Sequence, residues 1–478
     1  MKRENITDHE ASESRPSAPD DARFIGRSAP ASSGAALRAG VRVDRAITEL
    51  RRGRPVRFLA GAEQILVVAV ETMLPSAWTE FTADGGDLNV TLTAERAHAS
   101  GWGRSAGISA VADSGAIPFP GSTRQPGASA AGEPAPLLPI SLRLPVGFEP
   151  GRLAGLAGLG VHDGDGNDGA ELGAKAAPRH GPGPGDQDSG RWDGLLAIQS
   201  SSPAAQTTPA MRAALELARL ARLVPAIVTL GLQVALSASA AAGLRSSRDL
   251  EGDPDHLRVS AADVLAYPLD RASSLLRVSE APVPLAGHEN SRFVLFRETV
   301  ADLEHVAIII GNPDRSSPIL VRLHSSCLTG DLFASLRCDC GDQLRGAIDR
   351  LGEGGGVLLY LAQEGRGIGL ANKLRAYARQ DTGLDTIDAD RYLGFRGDER
   401  NFGVAVQMLK ELGIARIRLL TNNPSKIAAL RQAGLDVVER LPIGGQINRH
   451  NERYIATKRD RAGHLIDVST LPVARQVI

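Results

Sequence analysis

The sequence predicts an α/β protein of two domains, and three observations support this class. Apolar, strand-like runs alternate with helical patterns through the C-terminal half, as is typical of a parallel or mixed sheet covered by helices. The chain has 478 residues, which is enough for two or three domains. Hydrophobic residues make up 42% of it, as in globular proteins, whereas 52 glycines and 28 prolines indicate that part of the chain is not packed core.

Charge and hydropathy argue against two functional classes. The formal net charge is -1, so we expect no general attraction to nucleic acid or to a membrane surface. No apolar run reaches the roughly 18 residues that span a bilayer. The first ten residues are polar and lack the apolar stretch of a signal peptide. We therefore expect a cytoplasmic protein with reduced thiols.

The N-terminal half begins with a predicted disordered tail, residues 1–40, which is rich in Ser, Ala, Pro and charge. Val43, Ile47 and Leu50 then share one face of a short predicted helix that Gly53 can end. Further elements are predicted from apolar runs and alternation, namely strands at 56–59, 65–70 and 88–93, a helix at 213–223 and an apolar segment at 227–236. We expect these elements to form one domain over residues 41–275.

A low-complexity stretch interrupts this domain. Residues 104–193 are rich in Gly, Pro and Ala and show no sustained period, so we expect a flexible insertion. One short apolar strand is predicted within it, at 140–144.

The C-terminal half, residues 276–478, is more regular. Strands are predicted at 319–323, 357–361, 417–420 and 437–438, and helices at about 341–351, 369–380, 401–412 and 424–433. Sheets of this kind bind ligands at the carboxyl ends of their strands. Three polar motifs follow three of the predicted strands, so we expect them to meet at one edge.

The first motif contains all three cysteines of the chain, Cys327, Cys338 and Cys340. Three clustered thiols without an export signal favour a metal site over a disulfide framework. Three ligands and an open fourth position are the arrangement of a catalytic zinc. Gly341 allows the tight turn at the following helix start. The alternative is one buried cysteine beside a redox-inert pair.

Three further motifs are weaker when taken singly. Residues 363–370 form a glycine-rich loop in which Arg366 offers a planar fork to phosphate, although an ordinary strand-to-helix turn explains it equally well. Residues 421–426 start a helix with Asn423 as N-cap and Pro424 at N1, and Lys426 is then either an anion ligand or a solvated side chain. Asp398 and Arg400 form either a catalytic pair or an exposed ion pair.

Together the four motifs indicate a zinc hydrolase that acts on a nucleotide. Residues 290–470 resemble GTP cyclohydrolase II, the first enzyme of riboflavin biosynthesis. The matching motifs are RLHSSCLTGD (322–331), SLRCDCG (335–341), QEGRGIGLANK (363–373), RAYARQD (375–381), LGFRGDERNF (393–402) and LLTNNPSK (419–426).

This resemblance implies a role for each matching residue. Cys327, Cys338 and Cys340 would bind one Zn²⁺ per subunit, and water activated there would attack C8 of guanine and release formate. Tyr377 would assist ring opening, while Arg400, with Asp398 as proton acceptor, would act at the α-phosphorus and release pyrophosphate. GTP, accompanied by Mg²⁺, would be held by Arg322, Leu323, His324, Ser325, Ser326, Gln343, Glu364, Gly365, Arg366, Thr386, Thr421 and Lys426. A homodimer is also implied.

One position departs from the family pattern. The family often has Glu immediately before the first zinc cysteine, where this chain has Ser326. The missing carboxylate puts activity or base preference in question.

The N-terminal half resembles 3,4-dihydroxy-2-butanone 4-phosphate synthase through short segments at 45–56, 66–71, 90–97, 215–221 and 260–267. The acidic metal-binding loop of that family is replaced by LAGAEQ (59–64), and its histidine and glutamate fall at Ala210 and Arg212. A Mg²⁺ site needs clustered oxygen ligands. We therefore expect a domain without synthase activity. The alternatives are an unrelated α/β domain, a bifunctional enzyme that also makes the butanone phosphate, and a non-catalytic GTP-binding regulator.

Overall fold

The computed structural model describes residues 34–83, 88–99, 139–144, 147–159, 207–232 and 256–473. The predicted tail lies outside these ranges except for its last seven residues, which belong to the first helix. Most of the predicted insertion also lies outside them. Within it, the predicted strand is found at Ile140–Arg143, and a helix that was not predicted follows at Gly151–Leu156. Leu153 and Leu156 are buried, so this part of the insertion is packed against the domain.

The N-terminal domain is built on a six-stranded sheet in the order β4-β3-β5-β2-β1-β6. Its strands are β1 (Val56–Ala60), β2 (Glu63–Ala69), β3 (Leu88–Leu92), β4 (Ile140–Arg143), β5 (Ala226–Gly231) and β6 (Leu257–Ser260). All pairs are antiparallel except β1 with β6. The residues at 59–64 form the β1–β2 hairpin turn, in which Gly61 has φ +62°.

Helices cover both faces of this sheet. They are α1 (Gly34–Arg51), α2 (Pro75–Ala83), α3 (Ala94–Ala99), α4 (Gly151–Leu156), α5 (Pro209–Leu220) and α6 (Ala261–Ser273). The predicted face of α1 is confirmed, because Val43, Ile47 and Leu50 are buried in one core with α5 and α6. A second core on the other face includes Phe81, Leu153 and Leu156.

The C-terminal domain has a seven-stranded mixed sheet in the order β13-β12-β10-β11-β9-β8-β7. The strands are β7 (Leu275–Pro282), β8 (Ser291–Glu298), β9 (Leu303–Ile310), β10 (Ile319–Ser325), β11 (Gly356–Leu361), β12 (Arg416–Leu420) and β13 (Asp436–Leu441). Strands β10 to β13 are parallel, as the strand–helix alternation predicts. The antiparallel strands β7 to β9 were not predicted.

Helices also cover both faces of the second sheet. They are α7 (Cys340–Gly352), α8 (Gly369–Asp381), α9 (Thr386–Tyr392), α10 (Gly403–Glu411), α11 (Pro424–Gln432) and α12 (Glu452–Asp460). Helices α10 and α11 pack on one face, and α7 packs on the other through Ala347 and Leu351. None of the helices in the described ranges is long and apolar enough to cross a membrane.

Three adjacent parallel strands end at the same edge of this sheet, at Ser325, Leu361 and Leu420. The cysteine motif, the glycine-rich loop and the 421–426 motif each begin within two residues of these ends. The predicted meeting of the three motifs is therefore confirmed.

Candidate active site and metal centre

The three cysteine sulfurs form a compact cluster at this edge. All three lie within 4.8 Å of one another, and the sulfurs of Cys327 and Cys338 are 3.8 Å apart. Two thiolates bound at about 2.3 Å to a tetrahedral zinc lie about 3.8 Å from each other, so the spacing fits that ion. Within the described ranges, no other group of three or more His, Cys, Asp or Glu ligand atoms is this close.

A buried carboxylate shapes the loop that carries the first thiol. Asp331 accepts hydrogen bonds from the Cys327 amide at 2.9 Å, from His324 Nε2 at 3.0 Å and from the Tyr360 hydroxyl at 2.9 Å. These bonds fold residues 328–332 into one wide π-helical turn. Because an ionised carboxylate only accepts, Nε2 carries the His324 proton and Nδ1 is an acceptor. Burial lowers the pKa of His324, which keeps the ring neutral.

Two glycines let the cysteine loops approach each other. A Cβ on Gly330 would lie 2.8 Å from the Cys338 sulfur and 3.1 Å from the Cys327 sulfur. A Cβ on Gly341 would lie 2.2 Å from the Gly330 carbonyl oxygen, so the predicted need for glycine in this turn is confirmed. The close approach of the cysteine loops therefore requires glycine, which has no Cβ, at both positions.

Lys373 is the cation nearest to the thiols. Its ammonium donates to the Cys327 sulfur at 3.1 Å, to the Thr329 hydroxyl at 2.9 Å and to Glu364 at 2.8 Å. The pKa of Cys327 is lowered, first by hydrogen bonds from Cys338 and Cys340 and further by the charge of Lys373. The contacts with Cys327 and burial raise the pKa values of Cys338 and Cys340, so Cys327 is the thiol most readily ionised, and a bound metal ion would favour ionisation of the other two.

A chain of polar contacts joins the turn that carries Cys338 and Cys340 to helix α12. Asp339, between two of the cysteines, accepts from Lys458 at 2.7 Å and from Gln343 at 2.6 Å. Gln343 in turn accepts from Arg322 Nη2 at 2.9 Å. These four residues connect α12, α7 and β10 behind the cysteines.

The cysteines open onto a cavity of about 1030 Å³, its open mouth included. Of the predicted site residues, those that line it are Arg322, His324, Ser325, Ser326, Cys327, Cys338, Cys340, Gln343, Glu364, Gly365, Arg366, Tyr377, Thr386, Arg400, Thr421 and Lys426. Residues far apart in the sequence thus share one concave surface.

Two predicted residues do not line the cavity. The Leu323 side chain is 1% exposed and packs into the sheet core, because it points to the opposite face from Arg322 and His324. Its carbonyl oxygen accepts from the Lys426 ammonium at 3.0 Å. Asp398 stands behind Arg400 and receives two hydrogen bonds from its guanidinium, at 2.8 and 2.5 Å.

Buried cations also line the cavity. Arg322 donates to the Leu420 carbonyl at 2.9 Å, and burial lowers its pKa to about 10. Burial likewise places the pKa of Lys426 well below its usual value. Lys426 is therefore not a solvated side chain, although Asn423 does cap the helix with Pro424 at N1. The Arg400 side chain is also largely buried, at 12% exposure, whereas that of its partner Asp398 is 37% exposed.

The glycine-rich loop is a strained turn. Gly365 and Arg366 both have left-handed backbone angles, with φ +62° and +58°. Arg366 Nη1 donates to the Gly397 carbonyl at 3.3 Å and lies 3.8 Å from Asp390. Burial raises the pKa of Asp390 to about 7, partly offset by Arg366. A non-glycine residue held in this conformation is consistent with a functional site.

Sequence reasoning missed several lining residues, notably Lys373, Asp390, Tyr454, Lys458 and His464. Lys373 had a usable signal, because it precedes Tyr377 by one helical turn and both face the cavity. The last three belong to the C-terminal segment, which reaches the cavity only through the tertiary fold.

In the N-terminal domain, the positions that carry the acidic loop, the histidine and the glutamate of the synthase family hold other residues or make other contacts. Glu63, the acid of the 59–64 turn, accepts a hydrogen bond from the Ala210 amide at the start of α5. Ala210 and Arg212 stand where the synthase family has its histidine and glutamate. Both lie on α5, and Ala210 is fully buried.

The comparisons with known proteins agree with the site. The family model for GTP cyclohydrolase II matches residues 276–442. A GTP cyclohydrolase-2 of Azospirillum brasilense is 48% identical over 296 residues, which cover 62% of this chain and 72% of that protein. The riboflavin biosynthesis protein RibBA of Phocaeicola vulgatus is 43% identical over 256 residues, covering 53% of this chain and 62% of that protein.

A solved structure was also matched, a crystal structure of RibBX, a two domain 3,4-dihydroxy-2-butanone 4-phosphate synthase from A. baumannii. It is 16% identical and covers 84% of this chain and 98% of that one, with a TM-score of 0.25, at which nothing about the fold follows. The family model and the Azospirillum relative agree with the cysteine cluster and its cavity: the chain belongs to the GTP cyclohydrolase II family.

Proposed function

We propose that this chain hydrolyses GTP to 2,5-diamino-6-ribosylamino-4(3H)-pyrimidinone 5′-phosphate, formate and pyrophosphate, the first step of riboflavin biosynthesis. One observation carries the proposal: the three-thiol cluster and the buried cations Arg322, Lys426 and Arg400 line the same cavity. Such a cavity suits a ligand with a reactive ring at one end and an anionic tail at the other.

The thiol end suits the base. Cys327, Cys338 and Cys340 would hold one Zn²⁺ per subunit, and a bound zinc supplies a Lewis acid that brings the pKa of water to about 7. Tyr377 lines the cavity beside this cluster. Burial raises the pKa of its hydroxyl to about 12, so the phenol stays protonated and can donate to charge that develops on the base. His324 Nδ1 is buried and has no hydrogen-bond partner in the described part of the chain, which leaves an acceptor for the ligand.

The cationic end suits the triphosphate, with Mg²⁺ as its expected counter-ion. Arg322, Arg366 and Lys426 would bind phosphate oxygens. Arg400 would act at the α-phosphorus with Asp398 as its partner. Because a guanidinium stays protonated in proteins, we assign Arg400 to stabilising the transferring charge rather than to nucleophilic attack.

The remaining proposed GTP contacts come from the three strand ends and the loops that follow them. They are Leu323 through its backbone, and Ser325, Ser326, Gln343, Glu364, Gly365, Thr386 and Thr421.

For the N-terminal domain, residues 41–275, we propose a role other than butanone phosphate synthesis. The engagement of Glu63 with the Ala210 amide supports this assignment. We further propose that residues 276–478 form the cyclohydrolase domain, that the chain acts as a homodimer, and that it resides in the cytoplasm, where its thiols stay reduced.

The decisive experiment follows both products. Purified chain with Zn²⁺, Mg²⁺ and GTP is expected to release formate and pyrophosphate in equal amounts, whereas Cys338→Ser is expected to release no formate. Pyrophosphate without formate from the unmodified chain would contradict the proposal, and release of neither product would favour a GTP-binding regulator. Formation of the butanone phosphate from ribulose 5-phosphate would instead identify a bifunctional enzyme.

A further inference from the structure

The N-terminal domain contacts three segments that border the cavity. We call these the strand-end loop (residues 362–367), helix α8, and the phosphate-side loop (residues 393–402), which carries Asp398 and Arg400. The contacts come chiefly from the end of α5 and the residues after it.

Ion pairs fix the phosphate-side loop to α5. Arg396 donates to Glu216 at 2.8 Å, and Arg219 lies 3.6 Å from Glu399. The side chains of Glu216, Arg219 and Glu399 are 10–11% exposed. Ion pairs shielded in this way are screened less by salt and held more rigidly than surface pairs.

Hydrogen bonds to the loop backbone add to these pairs. The Gly394 carbonyl accepts from the Thr93 hydroxyl at 3.0 Å and from Arg219 at 3.2 Å. Within the loop, Arg396 donates to Glu399 through its amide and its guanidinium. The loop is thus held at Gly394, Arg396 and Glu399, all of which precede Arg400.

The held loop also touches the strand-end loop. The Glu399 amide donates to the Arg366 carbonyl at 3.0 Å. A Cβ on Gly367 would lie 2.9 Å from the Glu399 carbonyl carbon, so the two backbones are in close contact. Because Glu399 lies between Asp398 and Arg400 in the chain, moving it would displace both of these residues, and Arg366 with them.

A second contact holds the strand-end loop and α8. Arg222 donates to the Ala362 carbonyl at 3.2 Å, and its own carbonyl accepts from Asn372 at 2.7 Å. Glu71 pairs with Arg375 at 2.8 Å. Asn372 and Arg375 flank Lys373 on the helix that also carries Tyr377.

We infer that the N-terminal domain positions the phosphate-side loop of the cyclohydrolase site, and that Glu216 acts as a positioning residue through Arg396 and Glu399. The domain thereby contributes to catalysis without touching substrate. The contacts that hold the loop do not depend on the proposed function, whereas the expected effect on kcat rests on it.

Hydrogen–deuterium exchange of the full chain tests the positioning without any activity assay. In Glu216→Gln we expect the amides of 393–402 to exchange about tenfold faster, with zinc content close to that of the unmodified chain and with an increase larger in 393–402 than in the rest of the C-terminal sheet, whereas a general loss of stability would raise exchange throughout the chain. The matched control is Glu49→Gln, which breaks the Glu49–Arg54 ion pair inside the N-terminal domain and should leave 393–402 unchanged. Unchanged exchange in Glu216→Gln would overturn the inference.

A milder variant covers the case in which Glu216→Gln does not fold. Thr93→Val keeps the side-chain shape and removes the hydrogen bond to Gly394, together with the bond that the Thr93 hydroxyl accepts from the Arg96 amide in α3, so it should also raise exchange in 393–402. The same protection as in the unmodified chain would again overturn the inference.

Kinetics then tests the consequence. Glu216→Gln should lower kcat for pyrophosphate release about tenfold with little change in KM, because Arg400 acts on the transition state. Glu216→Asp, which keeps the negative charge beside Arg396 and Arg219, should retain more of kcat than Glu216→Gln. A chain that releases no products would refute the proposed function, while the exchange result would still decide the positioning.

Discussion

Lys458 donates to Asp339 at 2.7 Å, and this ion pair anchors helix α12 to the turn between Cys338 and Cys340. The side chains are 9% and 4% exposed. Burial works against both charges, but each is held ionised by the other: the pKa of Asp339 is lowered and that of Lys458 is raised. Removing one partner therefore leaves a buried charge without compensation.

We expect Lys458→Met to lower the free energy of unfolding by about 3–5 kcal/mol, the usual loss when a buried pair is broken on one side. It should also weaken zinc binding, because Asp339 would be free to move. Urea denaturation and a zinc competition titration measure the two effects. Adding Asp339→Asn should recover much of the stability.

The control is Lys410→Met, which removes an exposed lysine from α10. Its effect should stay within about 0.5 kcal/mol. A Lys458 variant as stable as this control would show that the ion pair contributes nothing.

Gly330→Ala is expected to damage the metal centre directly. The added methyl would lie 2.8 Å from the Cys338 sulfur, so one of the cysteine loops must shift. We expect zinc affinity to fall at least tenfold, as measured with a chromophoric chelator. Gly346→Ala on α7 is the control, because its Cβ meets nothing within 4 Å and alanine favours a helix over glycine. Equal zinc affinity in the two variants would refute the packing argument.

Ser326→Glu restores the acid that the family often has beside its first zinc cysteine. A carboxylate lining the cavity can accept from the amide and amino groups of guanine, and charge-assisted hydrogen bonds contribute about 1.5–3 kcal/mol. We therefore expect the ratio of kcat/KM for GTP to that for ITP to rise about tenfold or more. Ser326→Gln, of similar size but neutral, is the control. A ratio that rises equally in both variants would attribute the change to size rather than charge.

Glu298 makes the stability of the chain depend on pH. It receives hydrogen bonds from Arg271 at 2.6 Å and His305 at 2.9 Å. Burial alone would raise its pKa, but these two partners outweigh burial and lower it to about 2. A carboxyl whose pKa is lower in the folded than in the unfolded state stabilises at pH values above its unfolded pKa, and that contribution is lost as the pH falls toward 2.

The corresponding variant is Glu298→Gln, compared with the unmodified chain in metal-free form by urea denaturation between pH 7 and pH 3. The unmodified chain should be the more stable at pH 7, and the difference should shrink as the pH falls below about 4.5. A difference that is constant over this range would contradict the assignment.

The parallel half of the second sheet and its site were largely predictable from sequence. Strand and helix periods were clear there, and each motif followed a strand, so the meeting of Cys327, Arg366 and Thr421 followed from sheet geometry. The burial of Lys426 and Arg400 was harder to predict from sequence. A lysine after a helix cap looks alike in sequence whether it faces solvent or a cavity, and only the packing of α11 beside β10 distinguishes the two.

What sequence reasoning missed depends on contacts between distant segments. Strands β7 to β9 carry charged residues such as Arg292, Arg297 and Glu304 among their apolar ones, which obscures their period. Lys458 lies 119 residues from Asp339, so no local pattern connects them. The ion pairs of Glu216 and Arg219 with the phosphate-side loop likewise arise only when the two domains pack together.

The burial of Lys426 has a consequence for the proton balance of ligand binding. Its ammonium donates to a neutral carbonyl, and desolvation keeps its pKa well below that of an exposed lysine. A polyanion entering the cavity would favour the charged form, so at pH values near or above the lowered pKa of Lys426 nucleotide binding should take up protons from the medium. The heat of binding would then vary with the ionisation enthalpy of the buffer, and affinity would weaken toward alkaline pH even where the phosphates themselves no longer titrate.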